Sequence, residues 1–230
     1  PQVARLFIDE AQDVRELYVR LLRVLCLTDV QIVVAGDRNQ LVYDFDEDFP
    51  ATLQTLQSPA AMFGGGHRAW HRVDMDTSHR LTKPVCKFVN SVFNTSIRSA
   101  RDGPNVEVRV PRSMYSQLHS SLSDVLKDSS DVLILVPYKH KNRVLRNLLN
   151  TLSRSGEDVH VHGVTRVDTL DSSKIKCGTF WSAKGLEADT VVVLLPGSAA
   201  FNPTYVALTR ALRRLIVVID PRDPHPMVSR

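Results

Sequence analysis

The fold is decided by a short stretch near the start of the chain, Leu6-Phe7-Ile8-Asp9-Glu10-Ala11-Gln12-Asp13. An apolar run over residues 3–8, interrupted only by Arg5, stops at two adjacent carboxylates. This pattern is typical of a buried parallel strand that delivers acidic side chains to the carboxyl edge of a sheet, where ligands bind in open α/β folds. Because Asp9 and Glu10 stand where the strand becomes a loop, both can face the same crevice. We therefore predict a buried strand that ends in two functional acids.

The acid pair has two chemical interpretations. In the first, one acid holds Mg²⁺ through its water shell while the other orients or deprotonates an attacking water, as nucleotide hydrolysis requires. In the second, the strand simply leads into the N-terminus of a helix, where Asp and Glu interact favourably with the helix dipole. The pair alone does not decide between these interpretations, so the decision rests on the remainder of the chain.

The composition is that of an ordinary globular protein. Of the 230 residues, 43% are hydrophobic and 23% are charged, which is enough apolar surface for a real core. No apolar run approaches the ~18 residues that a membrane span needs, and no signal-peptide pattern opens the chain. A net charge of +4 is compatible with an anionic partner but does not establish one. The three cysteines lack metal-ligand spacing, so we expect reduced thiols in an intracellular protein of the cytoplasm or nucleus.

Strand and helix patterns alternate along the whole chain. Strands are predicted at 3–8, 30–37, 72–75, 106–110, 131–137, 159–161, 175–179, 191–195 and 215–219. Helices are predicted at 14–27, 50–57, 81–93, 113–126, 139–152 and 204–212. In the first helix Leu17, Leu21, Leu22, Val24 and Leu25 have helical spacing, with Arg15, Arg20 and Arg23 on the other face. This alternation predicts an α/β fold with mainly parallel sheets and helices on both faces, and a domain boundary near residues 76–78.

Further polar and aromatic clusters follow the predicted strands. Gln40 lies just past the second strand, where an amide can hydrogen-bond both a phosphate oxygen and a water. Tyr43 and Phe45 come next and can stack on nucleic-acid bases, at ~1–3 kcal/mol each, or pack beneath the loop. The other clusters are Ser78-His79-Arg80, residues 178–187, and Tyr205-Val206-Ala207-Leu208-Thr209-Arg210-Ala211 on the predicted helix before the last strand.

Taken in order, these clusters resemble the helicase motifs numbered II to VI of the UvrD/Rep-type superfamily 1 helicases. The resemblance is carried by Asp-Glu-Ala-Gln-Asp at 9–13, Gly-Asp-x-x-Gln-x-x-Tyr-x-Phe at 36–45, Arg80, Lys-Gly-Leu-Glu at 184–187 and Val-Ala-Leu-Thr-Arg-Ala at 206–211. The Lys-Gly-Leu-Glu match is weak by itself. The five motifs in the right order span nearly the whole chain, which makes the resemblance specific.

The resemblance implies a fold, an activity and a cofactor. It implies parts of two RecA-like domains, with residues 1–77 as the C-terminal portion of the first, 78–220 as the second and 221–230 as an irregular tail. ATP and Mg²⁺ would bind in the cleft between these domains, and single-stranded DNA, with RNA left open, would cross their tops. The activity implied is that of an ATP-dependent DNA helicase or translocase that moves 3′ to 5′ along the strand. We expect the protein to be a monomer and to have no membrane partner.

The resemblance also implies a role for each matching residue. Asp9 would coordinate Mg²⁺, Glu10 would activate the hydrolytic water and Gln40 would sense the γ-phosphate. Arg80 and Arg210 would act as arginine fingers from the second domain, while Gly185 and Glu187 would contact the nucleotide, Glu187 through the ribose hydroxyls. The nucleic-acid path would be lined by Tyr43, Phe45, Thr179, Trp181 and Ser182.

One departure from the family pattern leaves an alternative open. The phosphate-binding loop of these helicases is absent, so we expect it upstream of Pro1 and expect this chain alone to bind ATP poorly and to be inactive. The alternative is a degenerate helicase-like module that binds nucleic acid or protein without hydrolysing ATP. Two unpaired arginines facing a cleft argue against that alternative, because an idle site has no physical need for them.

Overall fold

The computed structural model describes residues 5–25, 30–42, 56–63, 70–112, 118–129, 131–137, 150, 159–161 and 175–224. The chain divides into two compact units, Pro1–Met75 and Asp76–Arg230. The interpretation of these units as portions of two helicase domains stays a prediction.

The first unit contains two parallel strands joined through a helix. Its elements are β1 (Arg5–Ile8), a 3-10 turn (Ala11–Asp13), α1 (Glu16–Leu25), β2 (Gln31–Val34), a second 3-10 turn (Arg38–Gln40) and α2 (Pro59–Phe63). β1 pairs with β2 in parallel, so that Ile8 lies opposite Val34 and both strands end at the same edge. The predicted strand at 3–8 is thus present over residues 5–8, whereas the predicted strand at 30–37 is present over residues 31–34 only, because residues 35–37 belong to the loop that follows.

Within the described residues, helices cover one face of this small sheet. Ile8 packs in a core with Val19, Met62 and Phe63, and the alternate residues Leu6, Ile32 and Val34 lie against the same cluster. On the opposite face Phe7 is 68% exposed and Val33 is 40% exposed. The prediction that β1 and β2 are buried strands is thus wrong for one face, because the described part of this unit has helices on one side of the sheet only.

The core-facing side of α1 also differs from the prediction. Val19 and Leu22 face the core, whereas Leu17, Leu21 and Val24 are exposed. At about 100° per residue, the helix carries these two sets of apolar residues on different sides. Sequence spacing detects both stripes, and the packing against the sheet selects the shorter one.

The predicted strand at 72–75 is absent, and these residues are exposed and belong to no strand. Arg72 instead forms an exposed ion pair with Asp74 at 2.8 Å. Thr77 forms an isolated parallel bridge with Arg98. An alternating pattern of four residues does not become a strand without a neighbouring strand to hydrogen-bond.

The second unit is built on a six-stranded sheet in the order β3-β8-β7-β4-β6-β5, with every pairing parallel. The strands are β3 (Glu107–Arg109), β4 (Val132–Val136), β5 (Val159–Val161), β6 (Ile175–Thr179), β7 (Ala188–Leu195) and β8 (Ala211–Ile219). The helices are α3 (Lys83–Phe93), α4 (Leu118–Asp128) and α5 (Phe201–Leu208). The predicted fold class, a mainly parallel α/β protein, is confirmed.

Both faces of the central strands are buried. Leu122 and Val125 of α4 pack on one face against alternate residues of the strands, among them Ile134 and Val192. On the other face α3 contacts β8 and α5, and α5 contacts β7. The Phe93 ring of α3 meets Phe201 and Tyr205 of α5 edge-on, at 4.8 and 5.1 Å between ring centroids. Continuous apolar strands such as β4 are what a sheet covered on both faces requires.

Several element ends differ from the predictions. The last helix ends at Leu208, and residues 211 and 212 open β8 instead of closing the helix. β7 begins at Ala188, three residues before the predicted start. Residues 221–224 turn back so that Pro224 bridges Pro196 and the Gly197 N–H donates to the Asp223 carbonyl at 2.7 Å. The predicted helices at 50–57 and 139–152 lie almost wholly outside the described residues, as do residues 113–117 of a third.

No helix among the described residues is both long enough and apolar enough to cross a membrane.

Candidate functional site

The two acids follow β1 in an exposed turn. Glu10 has a left-handed backbone (φ 52°, ψ 39°), and its N–H donates to Asp9 Oδ1 at 2.8 Å. A left-handed backbone is uncommon for a residue with a side chain and concentrates at functional sites. Asp9 and Glu10 are both exposed, so this turn presents two carboxylates at the carboxyl end of β1.

The loop after β2 runs beside this turn. The Ala35 N–H donates to the Ile8 carbonyl at 2.8 Å, and the Ala11 N–H donates to the Ala35 carbonyl at 2.9 Å. The parallel pairing therefore continues past both strands. Gly36 lies in this contact, and a Cβ there would meet Gln12 Oε1 and lie 3.0 Å from the Ala11 nitrogen. The close approach of the two loops thus requires glycine at this position.

Gln12 connects the two loops through both ends of its amide. Its Nε2 donates to Glu10 Oε2 at 2.5 Å, and its Oε1 accepts from the Asp37 N–H at 3.1 Å. The residue is fully buried, with 0% of its surface exposed. Sequence reasoning assigned it no role, although a polar residue between acids at the end of a predicted buried strand was a usable signal.

Asp37 continues the connection to Gln40. Asp37 Oδ1 accepts from the Asn39 N–H at 2.9 Å, and Asp37 Oδ2 accepts from Gln40 Nε2 at 3.2 Å. A chain of hydrogen bonds therefore runs from Glu10 through Gln12 and Asp37 to Gln40. Two of the residues predicted to act on a nucleotide, Glu10 and Gln40, are thus linked at one sheet edge.

The next two predicted residues, Tyr43 and Phe45, lie outside the described part of the chain. Leu41 and Val42 just before them are buried.

In the second unit, Arg80 lies in a tightly held loop before α3. Ser78 Oγ accepts from the N–H groups of Arg80 and Leu81, at 3.3 and 3.0 Å. The Arg101 guanidinium donates to the backbone carbonyls of Arg80 and His79. The backbone that carries Arg80 is therefore fixed from two sides.

The Arg80 side chain is less completely satisfied than its backbone. Its Nη1 lies 3.9 Å from Glu187 Oε2, and the two side chains are 33% and 53% exposed. Its Nε is buried without a hydrogen-bond partner among the described residues. The structure thus brings two predicted nucleotide-contacting residues together and leaves one guanidinium donor available to an acceptor.

Arg210 does not lie on a helix as predicted but in the turn between α5 and β8. It is 2% exposed, its Nε donates to the Val206 carbonyl at 2.9 Å and its Nη2 donates to Thr209 Oγ1 at 3.1 Å. The first of these contacts satisfies a carbonyl at the C-terminal end of α5, where a cation interacts favourably with the helix dipole. The expectation of an unpaired Arg210 facing a cleft is therefore wrong for this conformation.

The predicted residues of the second unit fall at two different edges of its sheet. Glu187 and Arg210 immediately precede β7 and β8, and the Ala188 N–H donates to the Arg210 carbonyl at 3.3 Å. Thr179 ends β6, at the level of Leu194 in β7 through the pairings with β4. Six residues of strand separate Ala188 from that level, which is roughly 20 Å. The predicted nucleotide-contacting residues Glu187 and Arg210 therefore lie far from Thr179, which is predicted to contact nucleic acid.

At the carboxyl end of β6, Thr179, Trp181 and Ser182 share one compact turn. The Thr179 N–H donates to Ser182 Oγ at 2.8 Å, and Ser182 Oγ donates to the Thr179 carbonyl at 3.0 Å. Phe180 is fully buried beneath the turn, while Trp181 is partly exposed. Gly185 has φ 80° with open space around its Cβ position. The hydroxyl of Ser182 thus closes the turn, and Trp181 lies partly exposed within it.

The described residues contain no cluster of three or more His, Cys, Asp or Glu side chains that could hold a metal ion. Mg²⁺ at a nucleotide site is commonly held by one or two carboxylates together with substrate phosphates. Asp9 is a hard oxygen donor of this kind at an exposed sheet edge, so the residues present fit such an ion.

The fold defines a class: mainly parallel α/β units similar to helicase domains. In one comparison 66% of the chain superposes on 93% of the C-terminal domain of a possible DNA helicase from Lactobacillus plantarum WCFS1, with a TM-score of 0.51 and 20% identity. The arterivirus nonstructural protein 10 helicase gives a TM-score of 0.49 and 17% identity, over 97% of this chain and 40% of that protein. A complex of the arterivirus helicase with DNA gives 0.46 and 16%, over 100% and 41%. The chain thus spans about two fifths of the viral helicases.

A more particular likeness comes from the first part of the chain. Residues 1–61 match the family model of the UvrD/REP helicase N-terminal domain. This match includes Asp9, Glu10, Gln12, Asp37 and Gln40. A search of curated proteins finds no match to the chain.

Proposed function

We propose that this chain is part of a UvrD-like, ATP-dependent helicase or translocase that acts on single-stranded DNA. The observation that carries the proposal is the hydrogen-bonded chain from Glu10 to Gln40, which lies within the residues that match the helicase family model. A carboxylate and an amide held together at a parallel-sheet edge have the chemistry needed to orient water and read a phosphate.

In the proposed site Asp9 holds Mg²⁺, which when bound neutralises developing phosphate charge. Glu10 orients the attacking water and accepts its proton, which a carboxylate within hydrogen-bond reach can do. Gln40 Nε2 donates to Asp37 in this conformation, and the same group can donate to a γ-phosphate oxygen.

The second unit contributes charge to the same proposed reaction. Arg80 presents a guanidinium whose Nε has no hydrogen-bond partner among the described residues. Glu187 beside it accepts hydrogen bonds from the ribose hydroxyls. An arginine supplied in this way is worth ~10³–10⁵ in phosphoryl-transfer rate. Arg210 joins as the second finger only after its guanidinium leaves the turn that now holds it.

The proposed nucleic-acid contacts lie at the other edge of the second sheet. Trp181 supplies a stacking surface, and base stacking on an aromatic ring tolerates any sequence. Thr179 and Ser182 hold the turn that presents Trp181. Tyr43 and Phe45 complete this path in the proposal.

The alternative is a helicase-like module that binds nucleic acid or a protein without hydrolysing ATP. The buried, hydrogen-bonded guanidinium of Arg210 favours it, because that group is occupied by its own helix.

Substitution of Glu10 separates the two candidates. In the natural gene product that carries this sequence, Glu10→Gln should reduce ATP turnover by a factor on the order of 10²–10⁴ while ATP binding persists, because the amide cannot accept the proton. Steady-state hydrolysis and fluorescent-nucleotide binding measure the two quantities. Full turnover in Glu10→Gln, or no turnover in the wild type, would overturn the helicase proposal.

A further inference from the structure

We propose that Gln12 is a positioning residue that holds the Glu10 carboxylate in its working orientation and links it to the loop of Asp37 and Gln40. This inference rests on the proposed role of Glu10. It goes further because it assigns a task to a residue that touches neither nucleotide nor metal.

The chemistry of the Gln12 side chain fits this task at both ends. A primary amide can donate to a carboxylate and accept from a backbone N–H at the same time. Gln12 does both, toward Glu10 Oε2 and the Asp37 nitrogen. A carboxylate of the same size at this position would repel Glu10. An apolar side chain would remove the hydrogen bonds to both Glu10 and Asp37.

Burial makes these two hydrogen bonds effective. Gln12 is 0% exposed, so water does not compete for its amide, and leaving a buried polar group unpaired is costly. The glycine at position 36 leaves room for Gln12 Oε1. The amide is therefore confined between the two loops, and with it one oxygen of Glu10.

The backbone of Glu10 explains why such a clamp is useful. The left-handed conformation is strained for a residue with a side chain, and it persists only when the surrounding structure imposes it. The Asp13 N–H donates to the Glu10 carbonyl at 2.9 Å, and the Glu10 N–H donates to Asp9. These bonds hold the main chain, and the Gln12 amide also contacts the long Glu10 side chain.

The same contacts couple Glu10 to Gln40. The Asp37 N–H donates a hydrogen bond to Gln12, and the Asp37 carboxylate accepts one from the Gln40 amide. When Gln40 turns from Asp37 toward a phosphate, Asp37 loses one partner and its loop is free to shift. Gln12 transmits that shift to Glu10, so the carboxylate would respond to the occupant of the Gln40 contact.

A double-mutant cycle in the natural gene product tests the inference. Gln12→Met preserves length but removes both hydrogen bonds, and kcat for ATP should fall by on the order of 10–100-fold, as when outer partners of a functional ligand are lost. KM for ATP should stay within about twofold, because Gln12 touches no substrate. In a Glu10→Gln background the same change should cost no further activity, since its effect runs through Glu10.

Two controls make the outcomes separable. Gln31→Met alters an exposed glutamine of β2 and should change neither kcat nor the melting temperature. Gln12→Glu, which keeps the shape but cannot donate, should lower kcat at least as much as Gln12→Met.

Each outcome supports or overturns the positioning role. Wild-type kcat in Gln12→Met, an equal further loss in the Glu10→Gln background, or failure of both Gln12 variants to fold would overturn it, the last by making Gln12 a structural residue. Full activity in Glu10→Gln would instead overturn the proposed function. An inactive Glu10→Gln with a fully active Gln12→Met would overturn this inference alone.

Discussion

At Glu10 and Gly36 the two loops of the first unit approach as closely as their backbones allow. Glu10 takes a left-handed conformation beside Gln12, and Gly36 leaves the space that the Gln12 amide occupies. The sequence identified Glu10 from its place after an apolar run, but it did not predict the contact with Gln12. That contact depends on β1 and β2 pairing in one register, which no local pattern encodes.

Gly36→Ala tests this close approach at the scale of one methyl group. The added Cβ would meet Gln12 Oε1, so we expect a loss of about 1–3 kcal/mol in the free energy of unfolding of the first unit. Urea denaturation followed by Trp70 fluorescence, in a Trp181→Phe background, measures this loss.

The matched control is Gly185→Ala. Open space surrounds that position, so its cost comes only from the left-handed backbone (φ 80°), roughly 1–2 kcal/mol, and arises in the second unit. An unchanged Trp70 transition in Gly36→Ala would contradict the close packing of the two loops.

For the individual helices and strands, hydrophobic periodicity predicts whether a segment is a helix or a strand better than it predicts which of its faces is buried. The patterns at 131–137 and 175–179 correctly predicted the strands β4 and β6. Both strands are largely buried because neighbouring elements cover both of their faces. The prediction of which side of α1 faces the core is wrong because the helix carries apolar residues on two sides. Packing against the sheet determines that Val19 and Leu22 are the residues that face the core. The sequence pattern predicts that the last helix continues to residue 212, because Ala211 and Leu212 are as compatible with a helix as with the start of β8.

Edge strand β3 is held by a charged cluster that joins it to α4 and β8. Arg109 forms two hydrogen bonds with Asp124, at 2.9 and 2.8 Å, and Arg214 Nε donates to Glu107 at 2.8 Å. Hydrogen bonds from Arg109 lower the pKa of Asp124 below its ordinary value. Burial alone would raise the pKa of Glu107, but hydrogen bonds from Arg109 and Arg214 outweigh it and leave that pKa lowered too.

The lowered pKa values predict how this cluster responds to acid. A carboxyl whose pKa is lower in the folded state stabilises the fold above its unfolded pKa and loses that contribution as pH falls through the folded pKa. Asp124→Asn should therefore cost about 0.5–1 kcal/mol at pH 7, the range for a half-exposed pair, and progressively less below about pH 4. Thermal melts of variant and wild type across this pH range measure the difference.

Asp102→Asn provides the comparison, because it breaks an exposed ion pair with Lys83. Its effect should be near zero at every pH. A difference for Asp124→Asn that is constant from pH 7 to pH 3 would contradict the ionic origin of its effect.

Across the whole molecule, the two compact units each carry a different part of the proposed chemistry. The first holds the acids and the Gln40 loop. The second holds Arg80 in the loop before α3, Glu187 and Arg210 just before β7 and β8, and Trp181 just after β6. Motif order along the sequence was enough to suggest this division of roles. Motif order did not predict that the Arg210 guanidinium hydrogen-bonds to the C-terminal end of α5. The conformation of an arginine depends on which acceptors lie near it in the folded chain.

The central claim is that these parts belong to a nucleic-acid-driven ATPase. It is tested most directly by steady-state ATP hydrolysis in the natural gene product that carries this sequence, with Mg²⁺ and with or without single-stranded DNA. The account predicts a low basal rate that rises at least tenfold with saturating DNA. Binding of the strand without hydrolysis under any condition would contradict it and would identify the chain as a non-catalytic helicase-like module.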